Sequence, residues 1–462
     1  MTKLSPKAGF SSFTFSTEIL GAIEKAGYEY PTDIQLEAIP VVLDGKDVLA
    51  RAETGSGKTA TYVLPLLENL STKNIYRQNK PYNKFNGIDR AKSNCIQVLV
   101  LVPTRELAIQ ICDVFKQFSE NIKPEIKCLS VYGGVKINPQ MMALRSGTDI
   151  LVSTPGRLLD LVDQNAIKFN QIKALVIDEV DRLMKGDFQE EINKIMKLLP
   201  NKRQNLMFTA TFPDNIRSLV REEMNNPEIV NMDEFVEEVP IEQRVITVNH
   251  NKKNDLLAYL LNKYDWKQVL VFCSAKKTCD NLVIKLAKRD IEAIAMHGNK
   301  EQSARSAALR NFKSGKIRIL IATDVAARGI DIEQLACVIN FDLPRSPNDY
   351  VHRIGRTGRA GQTGQAISLI AHHEYHHFTV IEKHNALRLK REQLEGFEAD
   401  EIAPPMPRSK PKKKAKSKKA ALKKKSIVEK DNDEKEVKSV PLKANEKNFE
   451  ETAVNAHIWG KR

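Results

Sequence analysis

Short, largely apolar runs alternate with longer amphipathic segments through the first half of this chain. Such runs of four to six residues lie at 97–102, 126–131, 149–153, 174–177 and 204–208. Strands that are buried on both faces show runs of this kind, and the intervening segments carry apolar residues at helical spacing. The pattern predicts a parallel sheet with helices on both of its faces.

The same alternation starts again beyond an acidic stretch that is interrupted by Pro240. A second series of apolar runs lies at 268–273, 291–296, 318–322 and 337–340, with amphipathic segments at 276–288 and 303–312. We therefore predict an α/β fold with two tandem domains, because 462 residues exceed one ordinary core. The predicted bounds are 1–235 for the first domain, 236–242 for a linker, 243–393 for the second domain and 394–462 for a tail.

Basic residues are concentrated in the tail. The formal net charge is +14, and the chain from residue 401 onward contributes eighteen Lys and Arg against nine Asp and Glu. This lysine-dense sequence with few apolar residues predicts disorder. A basic excess without an amphipathic apolar face favours nucleic acid over a membrane as the partner, with a purely solubilising tail as the alternative.

Six cysteines are scattered along the chain without a CxxC pair. This spacing argues against a disulfide framework or a zinc site and favours reduced thiols. No apolar run is long enough to span a bilayer, and the N-terminus lacks the apolar core of a signal peptide. We therefore expect a soluble, cytoplasmic protein.

Four histidines cluster in the segment 372–377. On a helix, His372 would lie beside His376, and His373 beside His377. No further ligand is identifiable, so a solvated helix face is favoured over a metal site.

A glycine-rich loop lies between a predicted strand at 47–50 and a predicted helix that begins near Lys58. The loop residues are Ala52, Glu53, Thr54, Gly55, Ser56, Gly57, Lys58 and Thr59. The backbone N–H groups of such a loop point at phosphate oxygens, and the helix N-terminus adds partial positive charge. Lys58 can reach the terminal phosphates and Thr59 can bind magnesium, so the loop predicts a nucleoside triphosphate site.

Two carboxylates directly follow the apolar run at 174–177. Asp178 can hold magnesium, partly through water, and Glu179 can polarise the attacking water. The alternative is a solvated acidic loop. The phosphate loop after an earlier strand favours the catalytic interpretation, because ligands bind at the carboxyl ends of strands in parallel sheets.

Two further signals point to the same site. The amide of Gln35 offers one donor and one acceptor, the pattern that reads both N6 and N7 of adenine. Taken alone, a surface glutamine is the simpler interpretation, and its position upstream of the phosphate loop favours the adenine role. The second apolar series has no phosphate loop, which favours a domain that completes the nucleotide site over one that repeats it. Its arginine-rich segment at 352–359 can supply arginine fingers to that site.

Together, the motifs and their order resemble the DEAD-box family of ATP-dependent RNA helicases over about residues 10–380, and most of all its bacterial RhlE-type subgroup. The resemblance implies two RecA-like domains, ATP and Mg²⁺ bound between them, and single-stranded RNA lying across both. Two positions depart from the usual family motifs: Val180 replaces an alanine and Thr209 replaces a serine. The acidic groups and the hydroxyl survive, so we expect intact chemistry.

The resemblance also implies roles for individual residues. For nucleotide binding they are Phe10, Tyr30, Gln35, the phosphate loop, Gly329 and Asp331, and for catalysis Lys58, Asp178, Glu179 and the arginine fingers Arg356 and Arg359. For RNA binding they are Thr104, Arg105, Gly134, Thr154, Gly156, Arg157, Gln302, Arg305, Thr323 and Arg328. For coupling between the two they are Asp181, Thr209, Thr211 and His352.

The predicted function is an RNA-dependent ATPase that locally unwinds short RNA duplexes or remodels RNA–protein complexes. One rival is an ATP-gated RNA clamp or scaffold with little unwinding, and another is a DNA helicase, which the Gln35 segment disfavours. The presence of Lys58, Glu179, Arg356 and Arg359 favours the enzyme. The tail is predicted to anchor RNA without sequence preference, and ribosomal or RNA-decay proteins are candidate partners for it.

Overall fold

Two parallel sheets of seven strands each form the framework of the fold. The computed structural model describes residues 9–52, 56–71, 96–184, 188–209, 212, 214–231, 241–327, 332, 335–358 and 364–400, and the side chains of residues 214 and 215 are not described. All strand pairs are parallel. The predicted fold class is thereby confirmed.

The first sheet is built from the apolar runs of the first half of the chain. Its strands are β1 (Val48–Arg51), β2 (Val98–Leu101), β3 (Cys128–Val131), β4 (Ile150–Ser153), β5 (Ala174–Ile177), β6 (Gln204–Thr209) and β7 (Glu228–Asn231). Their order is β3-β4-β2-β5-β6-β1-β7. This order places β6 between β1 and β5, so the loops that follow β1 and β5 open at the same edge of the sheet.

Helices cover both faces of the first sheet. They are α1 (Thr17–Lys25), α2 (Asp33–Leu43), α3 (Lys58–Leu70), α4 (Arg105–Ser119), α5 (Ile137–Arg145), α6 (Pro155–Asp163), α7 (Val180–Leu183), α8 (Phe188–Met196) and α9 (Asp214–Glu223). Alternate residues of each central strand enter two separate apolar clusters, one on each face of the sheet. For example, Val98 and Val100 pack on one face, and Leu99 and Leu101 pack on the other.

The second sheet repeats this plan. Its strands are β8 (Glu242–Thr247), β9 (Val269–Cys273), β10 (Ala293–Met296), β11 (Ile319–Thr323), β12 (Cys337–Asn340), β13 (Gln365–Ile370) and β14 (Arg391–Glu392), in the order β10-β11-β9-β12-β13-β8-β14. Its helices are α10 (Lys253–Lys263), α11 (Lys276–Ala287), α12 (Gln302–Lys313), α13 (Asp324–Ala327), α14 (Pro347–Ile354) and α15 (Tyr375–His384). Short 3₁₀ turns at Phe10–Ser12, His250–Lys252 and His372–Glu374 complete the elements.

The packed chain continues beyond residue 393, where the tail was predicted to begin. Leu394 and Phe397 pack against the second core, and the ring of Phe397 lies 5.3 Å from that of Tyr259. Asp400 accepts a hydrogen bond from the Asn249 amide at 2.6 Å. Leu394 and Phe397 are two isolated apolar residues in a polar stretch, so the sequence pattern does not predict that they pack against the core. The tail from residue 401 onward and residues 236–240 of the predicted linker lie outside the described residues.

The histidine segment is not one continuous helix. A 3₁₀ turn at His372–Glu374 precedes α15, so the helical spacing assumed for the histidine pairs does not apply. His377 Nε2 lies 2.6 Å from the carbonyl oxygen of Pro344, and the ring of His373 lies 5.3 Å from that of His250. Within the described ranges, no group of three or more His, Cys, Asp or Glu side chains could hold a metal ion.

Five of the cysteines are described, and all five are buried and form no disulfide bonds. They are Cys112, Cys128, Cys273, Cys279 and Cys337. Burial raises the pKa of Cys337 above its ordinary value. Among the described helices, none is both long and apolar enough to cross a membrane.

Candidate active site

The phosphate loop and the acidic pair meet at one edge of the first sheet. The loop follows β1 and the acidic pair follows β5, and both strands pair with β6. Because all three strands are parallel, their carboxyl ends lie side by side. The adjacency predicted from sequence is therefore present in the fold.

The described part of the loop is shaped by one glycine. Gly57 caps α3 with φ +92° in the left-handed region, and a Cβ there would lie 2.6 Å from Gln35 Nε2. Lys58 follows at the start of the helix, is buried, and donates from Nζ to the carbonyl oxygen of Ala52 at 2.6 Å. This contact folds the lysine back over the loop, where its ammonium faces the interior of the site. Glu53, Thr54 and Gly55 lie outside the described residues.

Gln35 joins helix α2 to the loop. Its Oε1 accepts from the backbone N–H of Thr32 at 3.0 Å, which completes a capping box, and its Nε2 donates to the carbonyl oxygen of Gly57 at 3.2 Å. The hydroxyl of Thr32 donates to the carbonyl oxygen of Ser56 at 2.8 Å. The amide is thus held at the loop, and adenine recognition by Gln35 stays a prediction.

The two aromatic residues predicted beside the nucleotide differ in exposure. Phe10 is buried and stacks at 6.3 Å on Tyr28, whereas Tyr30 is 55% exposed. The exposed ring of Tyr30 is available to a ligand. The buried ring of Phe10 instead packs against the segment that leads to α2. Their contacts with a base stay predictions.

Asp178 is a buried carboxylate with two donors. Its Oδ2 accepts from the hydroxyl of Tyr62 at 3.0 Å, and its Oδ1 accepts from the backbone N–H of Glu179 at 2.9 Å. Burial raises the pKa of Asp178 to about 6, and the nearby charge of Lys58 opposes that rise. Burial likewise raises the pKa of Tyr62 well above its ordinary value, so the phenol remains a donor. A cation near Asp178 would lower the pKa of that carboxylate again.

Glu179 sits in an unusual backbone conformation. Its φ of 53° and ψ of 49° lie in the left-handed region, which costs free energy for a residue with a side chain. Arg182 Nη1 donates to Glu179 Oε2 at 2.7 Å, and both side chains are nearly buried. The turn directs the carboxylate out of the strand, and the arginine fixes it. Asp181 and Val180 in the same turn are buried.

Arg182 also faces the second sheet. It lines a cavity together with Asp349, His352, Arg353 and Arg356, all of which belong to the second domain. Burial and the charge of Arg182 lower the pKa of His352 to about 4. The acidic turn of the first sheet therefore lies against the arginine-rich segment of the second sheet. This contact is expected if that segment completes a nucleotide site on the first sheet.

The two described arginines of that segment differ. Arg353 is buried and donates to both carboxylate oxygens of Asp324, at 2.6 and 2.7 Å, and to the Asn340 side chain and the Asp342 carbonyl. Its guanidinium also lies 4.8 Å from the ring centroid of Phe272. These contacts give Arg353 a structural role. Arg356 is buried in the cavity beside Arg182, and Arg359 lies outside the described residues.

The residues that the resemblance assigned to RNA in the first domain lie at strand ends and helix starts. Thr104 caps α4 by accepting from the backbone N–H of Leu107 at 3.3 Å, and Thr154 precedes α6. Gly134 has φ +74°, and a Cβ there would collide with the guanidinium of Arg105. The guanidinium thus lies directly over Gly134, and a side chain there would displace it.

Other members of the assigned set show how tightly the backbone packs. Arg157 is buried and donates to the carbonyl oxygen of Val135 at 2.8 Å. A Cβ on Gly156 would lie 3.1 Å from Glu191 Oε1. Thr323 ends β11 and is buried. Arg328, Gly329, Asp331 and Thr211 lie outside the described residues, and Thr209 is buried at the end of β6.

Gln302 and Arg305 reach across to the first domain. Arg305 Nη2 pairs with Glu106 Oε2 at 2.8 Å, and Gln302 Nε2 donates to Glu106 Oε1 at 2.9 Å. Glu106 and Arg305 are each only 5% exposed. One carboxylate on α4 thus binds two side chains of α12, and this contact joins the two sheets.

Sequence reasoning missed Glu106, Arg182 and Tyr62. The partners of Glu106 lie in the other domain, and a contact between domains leaves no local sequence pattern. Arg182 lies three residues after Glu179, a spacing that brings side chains together on a helix and could have indicated the pair. Tyr62 lies four residues after Lys58 on the loop helix, where an aromatic residue is more simply interpreted as core.

Two family models match this chain. The DEAD/DEAH box helicase model matches residues 32–219, and the helicase conserved C-terminal domain model matches residues 252–361. The DEAD-box ATP-dependent RNA helicase CshA of Streptococcus pneumoniae is 39% identical over 383 residues, which cover 82% of this chain and 69% of that protein. CshA of Geobacillus kaustophilus is 37% identical over 84% of this chain and 79% of that protein.

Among solved structures, the fold resembles S. cerevisiae Dbp5 bound to RNA and ADP BeF3. The TM-score is 0.69 at 26% sequence identity, and the match covers 84% of this chain and 96% of that chain. This likeness extends over both sheets.

The contact between Arg182 and His352 predicts a measurable shift. Replacing Arg182 with Gln should raise the pKa of His352 from about 4 part of the way toward its ordinary value, because burial remains while the cationic neighbour is lost. An NMR titration of the His352 ring in the variant and the unmodified protein measures the shift. Arg145→Gln, an equal charge change on the exposed end of α5, should leave the pKa of His352 unchanged. An ordinary pKa for His352 in the unmodified protein would show that the sheets do not meet there in solution.

Proposed function

Because this chain belongs to the DEAD/DEAH box helicase family and is an ATP-dependent RNA helicase, we propose that its ATP site is divided between the two sheets. The first sheet holds the phosphate loop and the acidic turn, and the second holds Arg356. The observation that carries this proposal is Arg182, which binds Glu179 and lines a cavity with Arg356. Hydrolysis would therefore depend on contact between the sheets.

In this proposal the first sheet binds the triphosphate. The N–H groups at the start of α3 and the ammonium of Lys58 bind phosphate oxygens. Lys58 now donates to the carbonyl oxygen of Ala52, and it would exchange this contact for a phosphate. The left-handed Gly57 keeps the loop backbone free of a side chain where the phosphates approach. The Gln35 amide is held at the loop and would use its second N–H and the other lone pair of Oε1 to bind the edge of adenine.

The donor set fits a magnesium ion. Magnesium prefers oxygen ligands and is commonly held by one or two carboxylates together with substrate phosphates. Asp178 is a buried carboxylate, and Thr59 lies on the same helix turn as Lys58 at the mouth of the site. When bound, magnesium would neutralise charge on the phosphate oxygens during phosphoryl transfer.

Glu179 is proposed as the general base. Water attacks the γ-phosphorus, the bond to the β–γ bridging oxygen breaks, and Glu179 takes the proton of the attacking water. The ion pair with Arg182 fixes the direction of the carboxylate and leaves Oε1 for the water. Arg356 and Arg359 would stabilise the negative charge on the transferred phosphoryl group from the opposite sheet.

RNA is proposed to lie across both sheets through the assigned strand-end residues. These groups would contact phosphates and 2′-hydroxyls, which carry little sequence information, so many RNAs would bind. Binding of ATP and RNA together favours the closed arrangement, and a bend imposed on the bound strand would be incompatible with a duplex. One strand is then released locally, and phosphate loss reopens the cleft.

The contacts of Gln302 and Arg305 with Glu106 support a second role for these two residues. Besides the proposed RNA contact, they would hold the sheets together in the closed state. The charge of Asp181 acts on His352, and we propose that these two residues and Thr209 relay RNA binding to the acidic turn. His352 is neutral at physiological pH because its pKa is about 4, so it would act as a hydrogen-bonding group.

Three finer hypotheses accompany this function. We propose an RhlE-type subgroup, and this proposal rests on the motifs alone. The bacterial relatives reported above carry the name CshA and do not support it. We propose a cytoplasmic location, supported by the buried, unpaired cysteines. We propose that the basic tail anchors RNA, with a ribosomal or RNA-decay protein as the alternative partner, and the excess of lysine supports the first.

Glu179→Gln tests the general base. Turnover of ATP in the presence of RNA should fall by about 100-fold or more, because the amide cannot accept the proton. Binding of ATP and RNA should persist, since the substitution keeps the size of the side chain. Phosphate release with and without RNA, alongside equilibrium binding, measures both effects. The control Glu190→Gln, an exposed residue of α8, should behave like the unmodified protein.

Near-normal turnover in Glu179→Gln would remove this residue from the base role. Absence of RNA stimulation in the unmodified protein would instead contradict the helicase function. RNA retention that depends on ATP but produces no strand separation would favour the clamp.

Two truncations test the tail. Residues 401–430 carry twelve Lys and Arg against two acidic residues, and residues 431–462 carry six against seven. A chain that ends at residue 404 keeps the packed Phe397 and Asp400, and it should bind single-stranded RNA more weakly. The slope of log affinity against log salt should flatten by about 0.7 for each lost phosphate contact. A chain that ends at residue 430 is the matched control and should keep the full slope. Equal slopes in all three chains would assign the tail a solubilising role.

A further inference from the structure

A buried tyrosine hydroxyl lies at the metal side of the proposed site without a role in the mechanism above. Tyr62 is fully buried on α3, and its ring packs on Phe208 at 5.0 Å and on Phe115 at 6.5 Å between centroids. Its hydroxyl donates to Asp178 Oδ2 at 3.0 Å. The ring alone would fill this part of the core, so the hydroxyl calls for a separate explanation.

The helix places Tyr62 on the face that looks toward the acidic turn. It lies four residues after Lys58, and residues at this spacing are neighbours on one side of a helix. The side chain of Thr59 also interacts with the Tyr62 oxygen. One helix therefore carries Lys58, Thr59 and Tyr62 toward the same carboxylate.

The hydroxyl completes a two-point attachment of Asp178. Oδ1 is held by the backbone N–H of Glu179 and Oδ2 is held by Tyr62. The terminal torsion of an aspartate is broad and roughly two-fold, so one donor alone defines its orientation poorly. With both donors in place, the carboxylate plane is fixed and each oxygen keeps a lone pair for a water of the metal's shell.

We propose that Tyr62 is a positioning residue that sets the orientation of the Asp178 carboxylate and thereby the affinity of the nucleotide site for Mg²⁺. The inference rests on the proposed role of Asp178 in holding that ion. Groups that hydrogen-bond a metal-binding side chain are known to alter metal affinity by about 10–100-fold when they are removed. The hydroxyl of Tyr62 is such a group, because it donates a hydrogen bond to Asp178.

Tyr62→Phe in the full-length chain tests the proposal, since it keeps the ring and removes only the oxygen. Mg²⁺ is titrated at a fixed concentration of a fluorescent, non-hydrolysable ATP analogue, and binding to the protein is read from the fluorescence. The magnesium concentration at half-binding should rise by about tenfold in the variant. Binding at saturating magnesium and binding in EDTA should match the unmodified protein.

Tyr350→Phe is the matched control. Tyr350 is also buried, and its hydroxyl donates to Gln243 Oε1 at 3.0 Å within the second domain. Loss of this hydroxyl should leave the magnesium midpoint unchanged, while thermal unfolding of both variants reports how much each hydroxyl stabilises its own domain.

The possible results separate the hypotheses. An unchanged magnesium midpoint in Tyr62→Phe overturns the inference, whether or not the unfolding temperature falls. Equal weakening of nucleotide binding with and without magnesium also overturns it, because the oxygen would then act through general packing. If the unmodified protein binds the analogue with no dependence on magnesium, the proposed metal role of Asp178 fails instead.

Discussion

A buried ion pair joins the two sheets, and the proposed ATP site would depend on this contact. Glu106 on α4 pairs with Arg305 on α12 at 2.8 Å, and Gln302 binds the other oxygen of the same carboxylate. Burying two charges is expensive, and removal of either partner leaves the other uncompensated. In this arrangement of the sheets each of the two buried charges has the other as its partner.

In the proposed site, each sheet would hold part of the chemistry and neither would hold all of it. The first positions Lys58, Asp178 and Glu179 at the ends of parallel strands. The second sheet contributes Arg356. This arginine lines a cavity together with Arg182 of the first sheet. Because Arg182 also binds Glu179, the proposed base is tied to the meeting of the sheets. The left-handed backbone of Glu179 fits this view, since strain of that kind persists where surrounding contacts hold it.

Sequence reasoning succeeded where a feature depends on neighbouring residues. The apolar runs predicted most of the central strands, since burial on both faces leaves a continuous pattern, and the loop around Gly57 followed from its glycine spacing. The edge strands β7 and β14 and the inner strand β8 were missed, since they are partly exposed and their sequences are mixed. The inner strand β13 was missed although it is buried. Glu106, Arg182 and Tyr62 were missed for another reason: their partners lie on other elements, and only tertiary packing brings them together.

The most direct measurement of the split-site account is a double-mutant cycle on RNA-stimulated ATP hydrolysis with Glu106→Gln and Arg305→Gln. If contact between the sheets completes the site, each single variant should lower kcat/KM for ATP in the presence of RNA. The double variant should then be hardly slower than either single one, with a coupling free energy of about 0.5–3 kcal/mol. Additive losses, or turnover that none of the three variants changes, would contradict the account.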